Sequence, residues 1–548
     1  MKPIKKLLLC SALAAAALSF GPAARANVYA TNIKLNGALT NTTTVQGSGL
    51  SISYILNEPA TLGATVKILS GATVIRTISL ASGSPGTLKG LNTVAWDGKN
   101  GSGSTVTSGT YNISVTAGAS GFTSWTQTST DTNAGYYVFS PRGLAVNNNP
   151  ASPFYGRVFV GNAKNNATGT APGDVDGILK LNADGSLADE AQSSGGYAWI
   201  DDGFNDSPHM LRYGQDDRIY GLDWVNAGEI IACDMIMSTN QKVLSSASYA
   251  SNPYSASGNW GTMEVTDAGT TNGLLWLGDN NFPSAGVWAW HMTNGVADPN
   301  DPVGTQVIAT GGDLSLLPSG DFMMDANSNV FVSQFRGNAG DVSQRTMVFT
   351  NWDRTTTMTT GTAWQVGSAD DTMRRVYDTV LDNRNNPTYV ALPMGGASGG
   401  IRVLYATNGL VVTNASGSQI LTNLDAPNFY FGAAFDAVGN LYGASSTIQK
   451  WRVFSPPGTN QATTVSLQSV QVVPVPQFTS ITVSGSTVTL KFTDAGNPAP
   501  TAYTLLKSGN VSGPYVTVAG AVFTQTGPGS YQATTTTSGS ALFFRITR

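Results

Sequence analysis

Charge is scarce in this chain of 548 residues. Asp, Glu, Lys and Arg together make up 11%, against about 25% in an average soluble domain. The formal net charge is −4. A negative balance with so few basic side chains offers nothing that attracts polyanions, so no nucleic-acid partner is expected. Cysteine is nearly missing: Cys10 and Cys233 are the only two. There are also only two histidines, His209 and His291. The zinc motif H-E-x-x-H, the haem motif C-x-x-C-H and the phosphate loop G-x-x-x-x-G-K are all absent. Apolar runs are short. Beyond the N-terminus none approaches the roughly 18 residues that cross a bilayer, so no transmembrane segment is expected. Amphipathic helical periodicity is equally rare outside the N-terminus. What fills the chain is glycine (62 residues), serine, threonine and asparagine. Short strands joined by polar turns are what this composition builds, and the fold expected is all-β.

The N-terminus reads "MKPIKKLLLCSALAAAALSFGPAARA". A basic end (Lys2, Lys5, Lys6), an apolar stretch from Leu7 to Phe20 and the small-x-small site Ala24-Arg25-Ala26 form a signal peptide over residues 1–26. Leu9 before Cys10 is too bulky for a lipidation box. The expected mature protein is exported: secreted, periplasmic or at the cell surface. Loss of the four basic residues in this segment takes the net charge from −4 to −8. Cys233, in "EIIACDMIM", is then alone and is expected to be buried and inert.

Residues 27–118 alternate strand-like segments with Gly/Ser/Asn turns, the pattern of a small sandwich. Within them, "GLNTVAWDGKNGSGSTVTSGTYNISVTA" resembles the Ig-like domain of flagellar hook-cap proteins (FlgD-like). The resemblance rests on Trp96, Asp97, Gly98, Asn100, Gly103, Val106, Gly109 and Tyr111. It implies a fold and no flagellar role.

From 119 to 475 the chain repeats itself. Six stretches each carry a short apolar strand, a turn rich in Asp, Asn and Gly, and a second apolar strand, as in "APNFYFGAAFDAVGNLYGASS". The D-x-x-G-N-x-Y turn resembles those of NHL and gluconolactonase-like propellers, which implies six blades, with seven as the alternative. Residues 476–548 resemble a fibronectin-III-like module, on Tyr503, Gly513-Pro514-Tyr515 and Phe543-Phe544-Arg545. "SPPGTNQATTVSLQSVQVVPVPQ" before it is expected to be a last propeller strand or a linker.

Asp325, Asp382 and Asp436 fall at one equivalent turn. Asp there caps turn amides, and the glutamate an EF-hand-like calcium loop would need after Asp325 is instead Arg336. No cofactor is expected, with a divalent cation as the weaker alternative. "GASGG" around Ser398 is followed by strand-like residues and not by the helix a nucleophile elbow needs.

Residues at the start of each repeat's first strand should converge at one mouth of the propeller. They include Arg142, His209, Asp321, Arg375 and Asp378, the expected ligand-binding set. Trp260, Trp288 and Trp290 are candidate aromatic contacts, to be weighed against packing between blades. No set of catalytic residues is assigned. The reading is a non-catalytic recognition or scaffold protein that binds a glycan or an extracellular protein. Two alternatives stand beside it: a lactonase-like hydrolase or lyase acting on a sugar derivative, or a structural part of a surface layer or appendage.

Overall fold

The computed structural model describes residues 28–162, 177–188, 208–223, 230–244, 262–279, 286–297, 304–309, 321–333, 346–363, 376–383, 385–395, 399–410, 412, 424, 428–494, 497–536 and 542–547. The signal segment and Ser398 lie outside them. The described residues are all-β, with only two single-turn 3-10 segments, and no described helix is long and apolar enough to cross a membrane.

The N-terminal sandwich sets a three-stranded sheet (Ala30–Leu35, Leu50–Leu56, Gly90–Trp96) against a five-stranded one. Alternation drives this packing. In Gly90–Trp96 the side chains of Asn92, Val94 and Trp96 are buried while Leu91, Thr93 and Ala95 face out. Trp96 closes the strand by donating from its indole nitrogen to the Lys99 carbonyl at 2.8 Å, and its ring packs 5.8 Å from Tyr111. Gly98 follows in the left-handed region (φ 72°), where a Cβ would sit 2.7 Å from the Ser48 carbonyl. Only glycine fits that turn.

The five-stranded sheet corrects one expectation. Its order is Thr42–Val45, Gly458–Val473, Gly109–Phe122, Gly63–Ser70, Thr73–Leu80. Gly458–Val473 is neither a last repeat strand nor a linker. It pairs antiparallel with Gly109–Phe122 along most of its length, and Val470 and Val472 enter the sandwich core beside Ile113 and Val115. The strand pairing thus sets a division of the chain different from the expected 119–475 span. The repeated region sits between two neighbouring strands of one sheet.

The described residues of that region form six antiparallel meanders. Their first strands are Leu144–Val146, Pro208–Gly214, Thr262–Thr266, Phe322–Met324, Val380–Leu381 and Tyr430–Phe435. Each first strand contacts that of the next meander, and the sixth contacts the first. The apolar clusters follow the same circuit, each shared by two consecutive meanders, with Tyr442, Trp451 and Val453 of the sixth packed on Val146, Val158 and Leu179 of the first. Successive residues of one strand serve opposite neighbours. Ile219 packs towards the first meander, while Tyr220 and Leu222 pack towards the third. Burial on both faces explains the continuous apolar runs such as "IIAC". The sixth meander gains its outer strand from Thr126–Gln127, just before the first meander, which pairs with Lys450–Ser455.

The sandwich and the circuit touch. Lys89 Nζ donates to Tyr136 Oη at 3.0 Å and to the Thr128 carbonyl at 3.3 Å, and Tyr29 packs edge-on to Tyr155. Glu58 is buried near this contact. Burial and the charge of Asp436 push its pKa up to about 7, with Lys89 opposing.

The C-terminal unit stacks a four-stranded sheet (Gln477–Ser484, Thr487–Thr493, Ser530–Thr536, Val522–Gly527) on a three-stranded one (Val516–Thr517, Thr504–Ser508, Phe543–Thr547). Leu490, Phe492, Leu505, Tyr531 and Ile546 form its core.

Candidate binding site on the axis of the six meanders

A buried cluster of charged side chains lies where the six first strands meet. Arg212, in the middle of the second meander's first strand, donates from Nε to Glu264 Oε2 at 3.2 Å. Its Nη2 donates to Asp378 Oδ1 at 2.6 Å and also to Asp321 Oδ2. All four side chains are at least 94% buried. Backbone amides complete the shell. Val265 N donates to Glu264 Oε1, Ala433 N to Asp378 Oδ2 and Thr379 N to Asp378 Oδ1, all at 2.8 Å. Four meanders therefore meet on one guanidinium, and the sixth joins them through Asp378.

Burial pulls the pKa of Arg212 down, but the three carboxyl groups more than offset this and hold it above its usual value. Asp321 is pushed well above the carboxylate range, first by burial and then by its hydrogen bond to Asp378, with Arg212 opposing. The arrangement is a cross-brace whose acidic groups are engaged inside the protein.

The end where the first strands begin, here the leading end, carries an aromatic cluster. Phe429 and Phe431 flank Tyr430; their rings are 4.6 Å apart, and Tyr377 is 4.7 Å from each. All three rings are half-buried, whereas Tyr430 is fully buried in the core between the fifth and sixth meanders. The Arg142 guanidinium lies over Phe431 at 4.9 Å, and Arg142 Nη1 approaches His209 Nδ1 at 3.4 Å. Burial, followed by the Arg142 charge, drives the His209 pKa well below its ordinary value, so the imidazole is neutral.

Of the expected mouth residues, Arg142 and His209 thus sit together at the leading end. Asp321 and Asp378 lie deeper, bound to Arg212. Arg375 and Trp260 lie outside the described residues. The tryptophan expectation is corrected in part. Trp290 is fully buried between the second and third meanders, and Trp288 is half-buried against the same cluster. Both belong to a third strand, Gly286–Thr293, away from the axis, so their common face serves packing. Four residues were missed: Arg212, Tyr377, Phe429 and Phe431. The signal for the last two was the strand's period of two: if Tyr430 points into the core, its neighbours cannot.

The equivalent turns behave as their sequence requires. Asp436 Oδ1 accepts from Val438 N (3.0 Å) and Asn440 N (2.8 Å), and its Oδ2 accepts from Asn440 Nδ2 (2.7 Å). Asp325 repeats this with Asn327 N and Asn329 N, both at 2.9 Å, and Asp382 caps Thr388 N and Tyr389 N. Cys233 is buried, and burial pushes its thiol up to about 12. It is inert.

Residues 40–121 match the FlgD Ig-like domain family. This chain carries such a domain. No curated protein matches the chain. Among solved structures, it is similar to the calcium structure of Trichoderma reesei Carbohydrate-Active Enzymes Family AA12, with 13% identity and a TM-score of 0.37, covering 62% of this chain and 97% of that one. The iodide structure of the same family gives 14% and 0.36 over the same shares. Escherichia coli alpha-2-macroglobulin gives 11% and 0.17, over 96% of this chain and 46% of that one. At these scores the likenesses carry no functional argument.

Proposed function

We propose that the six meanders are the blades of a β-propeller inserted into an FlgD-like Ig sandwich and followed by a fibronectin-III-like module. In this reading the chain is an exported, non-catalytic recognition protein that binds a glycan at the leading end of the propeller axis. The observation that carries the reading is the half-buried cluster of Tyr377, Phe429 and Phe431 beside Arg142 and the neutral His209. Aromatic faces suit the apolar face of a sugar ring, while Arg142 and His209 supply hydrogen bonds to its hydroxyl groups. The six cyclic contacts between first strands support the propeller. The engagement of Glu264, Asp321 and Asp378 by Arg212 favours recognition over acid–base chemistry, because those carboxyl groups face a guanidinium and not the leading end.

The test is a glycan array probed with purified parent and Phe431→Ala protein. Binding to at least one glycan family, lost in the variant with an unchanged thermal midpoint, supports the reading. Equal binding by both proteins, or no glycan bound by the parent, overturns it.

A further inference from the structure

At the opposite end of the axis, where the first strands finish, lies a cavity of about 500 Å³. Its walls come from the ends of five first strands: Val146, Thr266, Met324, Leu381 and Phe435. Arg212 and Glu264 form its floor, so the buried brace separates this cavity from the aromatic cluster at the leading end. Its size falls within the roughly 300–1,000 Å³ of small-molecule sites.

The chemistry of the lining selects a ligand class. The described ionic groups around it are engaged within the protein. Arg212 is paired with Glu264 at 3.2 Å, and Arg354 with Asp267 at 3.0 Å. Asp325 and Asp382 accept hydrogen bonds from their own turns. At the rim stand amide side chains from three meanders, including the exposed Asn148, Gln215, Asn383 and Asn385. An amide both donates and accepts, as a hydroxyl does. A charged ligand would have to compete with closed ion pairs in a partly desolvated site, whereas a neutral one would leave them intact.

We propose that this cavity is a second binding site, distinct from the leading end, for an uncharged polyhydroxylated ligand of one or two sugar rings. The lining is more polar than apolar, and its amide rim meets the hydroxyl groups. The proposal does not depend on glycan recognition at the leading end.

The experiment uses the full mature chain and ligand-observed NMR with glucose, galactose, N-acetylglucosamine and cellobiose. Glucosamine and glucose 6-phosphate serve as charged counterparts. At least one neutral sugar should bind in the millimolar range or tighter, and at least tenfold better than the charged ones. Ala437→Trp, which puts a bulky ring at an exposed turn on the rim, should weaken that binding at least tenfold. Ala326→Trp, on the fourth meander's turn, is the second blocking variant should the first misfold. Val516→Ala, on an exposed strand of the C-terminal unit, should leave this binding unchanged. No neutral sugar bound, charged sugars bound equally well, or binding lost in Phe431→Ala but kept in a folded blocking variant would each overturn the proposal. The last of these outcomes would instead support the leading end as the site.

Discussion

Arg212 Nη2 donates to Asp378 Oδ1 at 2.6 Å across the axis of the six meanders, and the same nitrogen reaches Asp321. One side chain of the second meander thereby ties together strands that are 166 residues apart in sequence. A guanidinium is suited to this, since it is planar, permanently charged and supplies several donors in a fixed fork. The buried carboxyl groups around it tolerate one another only because it is there.

Removing Arg212 should therefore be costly. Breaking a buried ion pair by deleting one partner typically costs about 3–5 kcal/mol, because the remaining charge is left uncompensated. Arg212→Met should lower the chemical-denaturation free energy of the mature chain by that order. A loss below about 1 kcal/mol would mean that the brace contributes little.

The same geometry predicts a gain of metal response. In Arg212→Ala the carboxyl groups of Glu264, Asp321 and Asp378 would surround the space vacated by a cation, with oxygen ligands of the kind that calcium takes. The variant's thermal midpoint should rise by several degrees in millimolar calcium relative to chelator. The parent, whose equivalent turn aspartates cap backbone amides, should shift by less than about 2 °C, a change on the order of 1 kcal/mol in a unit this large. A parent as calcium-sensitive as the variant would show that a cation site exists elsewhere.

The pH dependence follows from Glu58 and Asp436, near the contact between the sandwich and the sixth meander. Burial raises Glu58 from 4.5 to about 7 and Asp436 from 3.8 to about 6. A carboxyl group whose folded pKa is raised contributes stability below its unfolded pKa and loses it as pH rises through the folded value. The parent should become less stable between about pH 5 and pH 8, Glu58 accounting for up to about 3 kcal/mol at the usual 1.36 kcal/mol per pKa unit. Glu58→Gln should be more stable than the parent at pH 8 and should flatten the upper part of this slope. Thermal scans across that range provide the check, and a parent that stabilises on going from pH 5 to pH 8 would contradict it.

Much of the architecture was legible because local chemistry and tertiary structure agree. Trp96, Asp97 and Gly98 announced a strand end and a turn that only glycine enters, and the turn aspartates announced paired strands. The placement of Gly458–Val473 was not legible. Its alternating polar and apolar residues suit any half-buried strand, and its partner Gly109–Phe122 lies about 350 residues earlier, as in the bond from Ile113 N to Ser466 Oγ. No local pattern encodes such a pairing. Arg212 escaped for a different reason. A single arginine inside an apolar strand carries no motif, and its role exists only once three other meanders deliver their carboxyl groups. Trp288 and Trp290 were overvalued because a shared strand face says nothing of what covers it.

The long-range strand yields the last prediction. Residues 27–118 look like a complete sandwich in sequence, and the family match also ends at residue 121. In the fold, however, Gly458–Val473 lies inside the five-stranded sheet between Thr42–Val45 and Gly109–Phe122. Without it, Thr42–Val45 loses its partner, and the core loses Val470 and Val472, both essentially fully buried. Each such side chain is worth about 1.5–3 kcal/mol when buried, a large part of the stability of a domain this small. Residues 28–122 expressed alone should therefore show poorly dispersed amide resonances and no cooperative melt. Joining 458–473 to them through a short Gly/Ser linker should restore both. Dispersed resonances and a cooperative melt from 28–122 alone would show that the sandwich folds independently and that the distant strand only docks onto it.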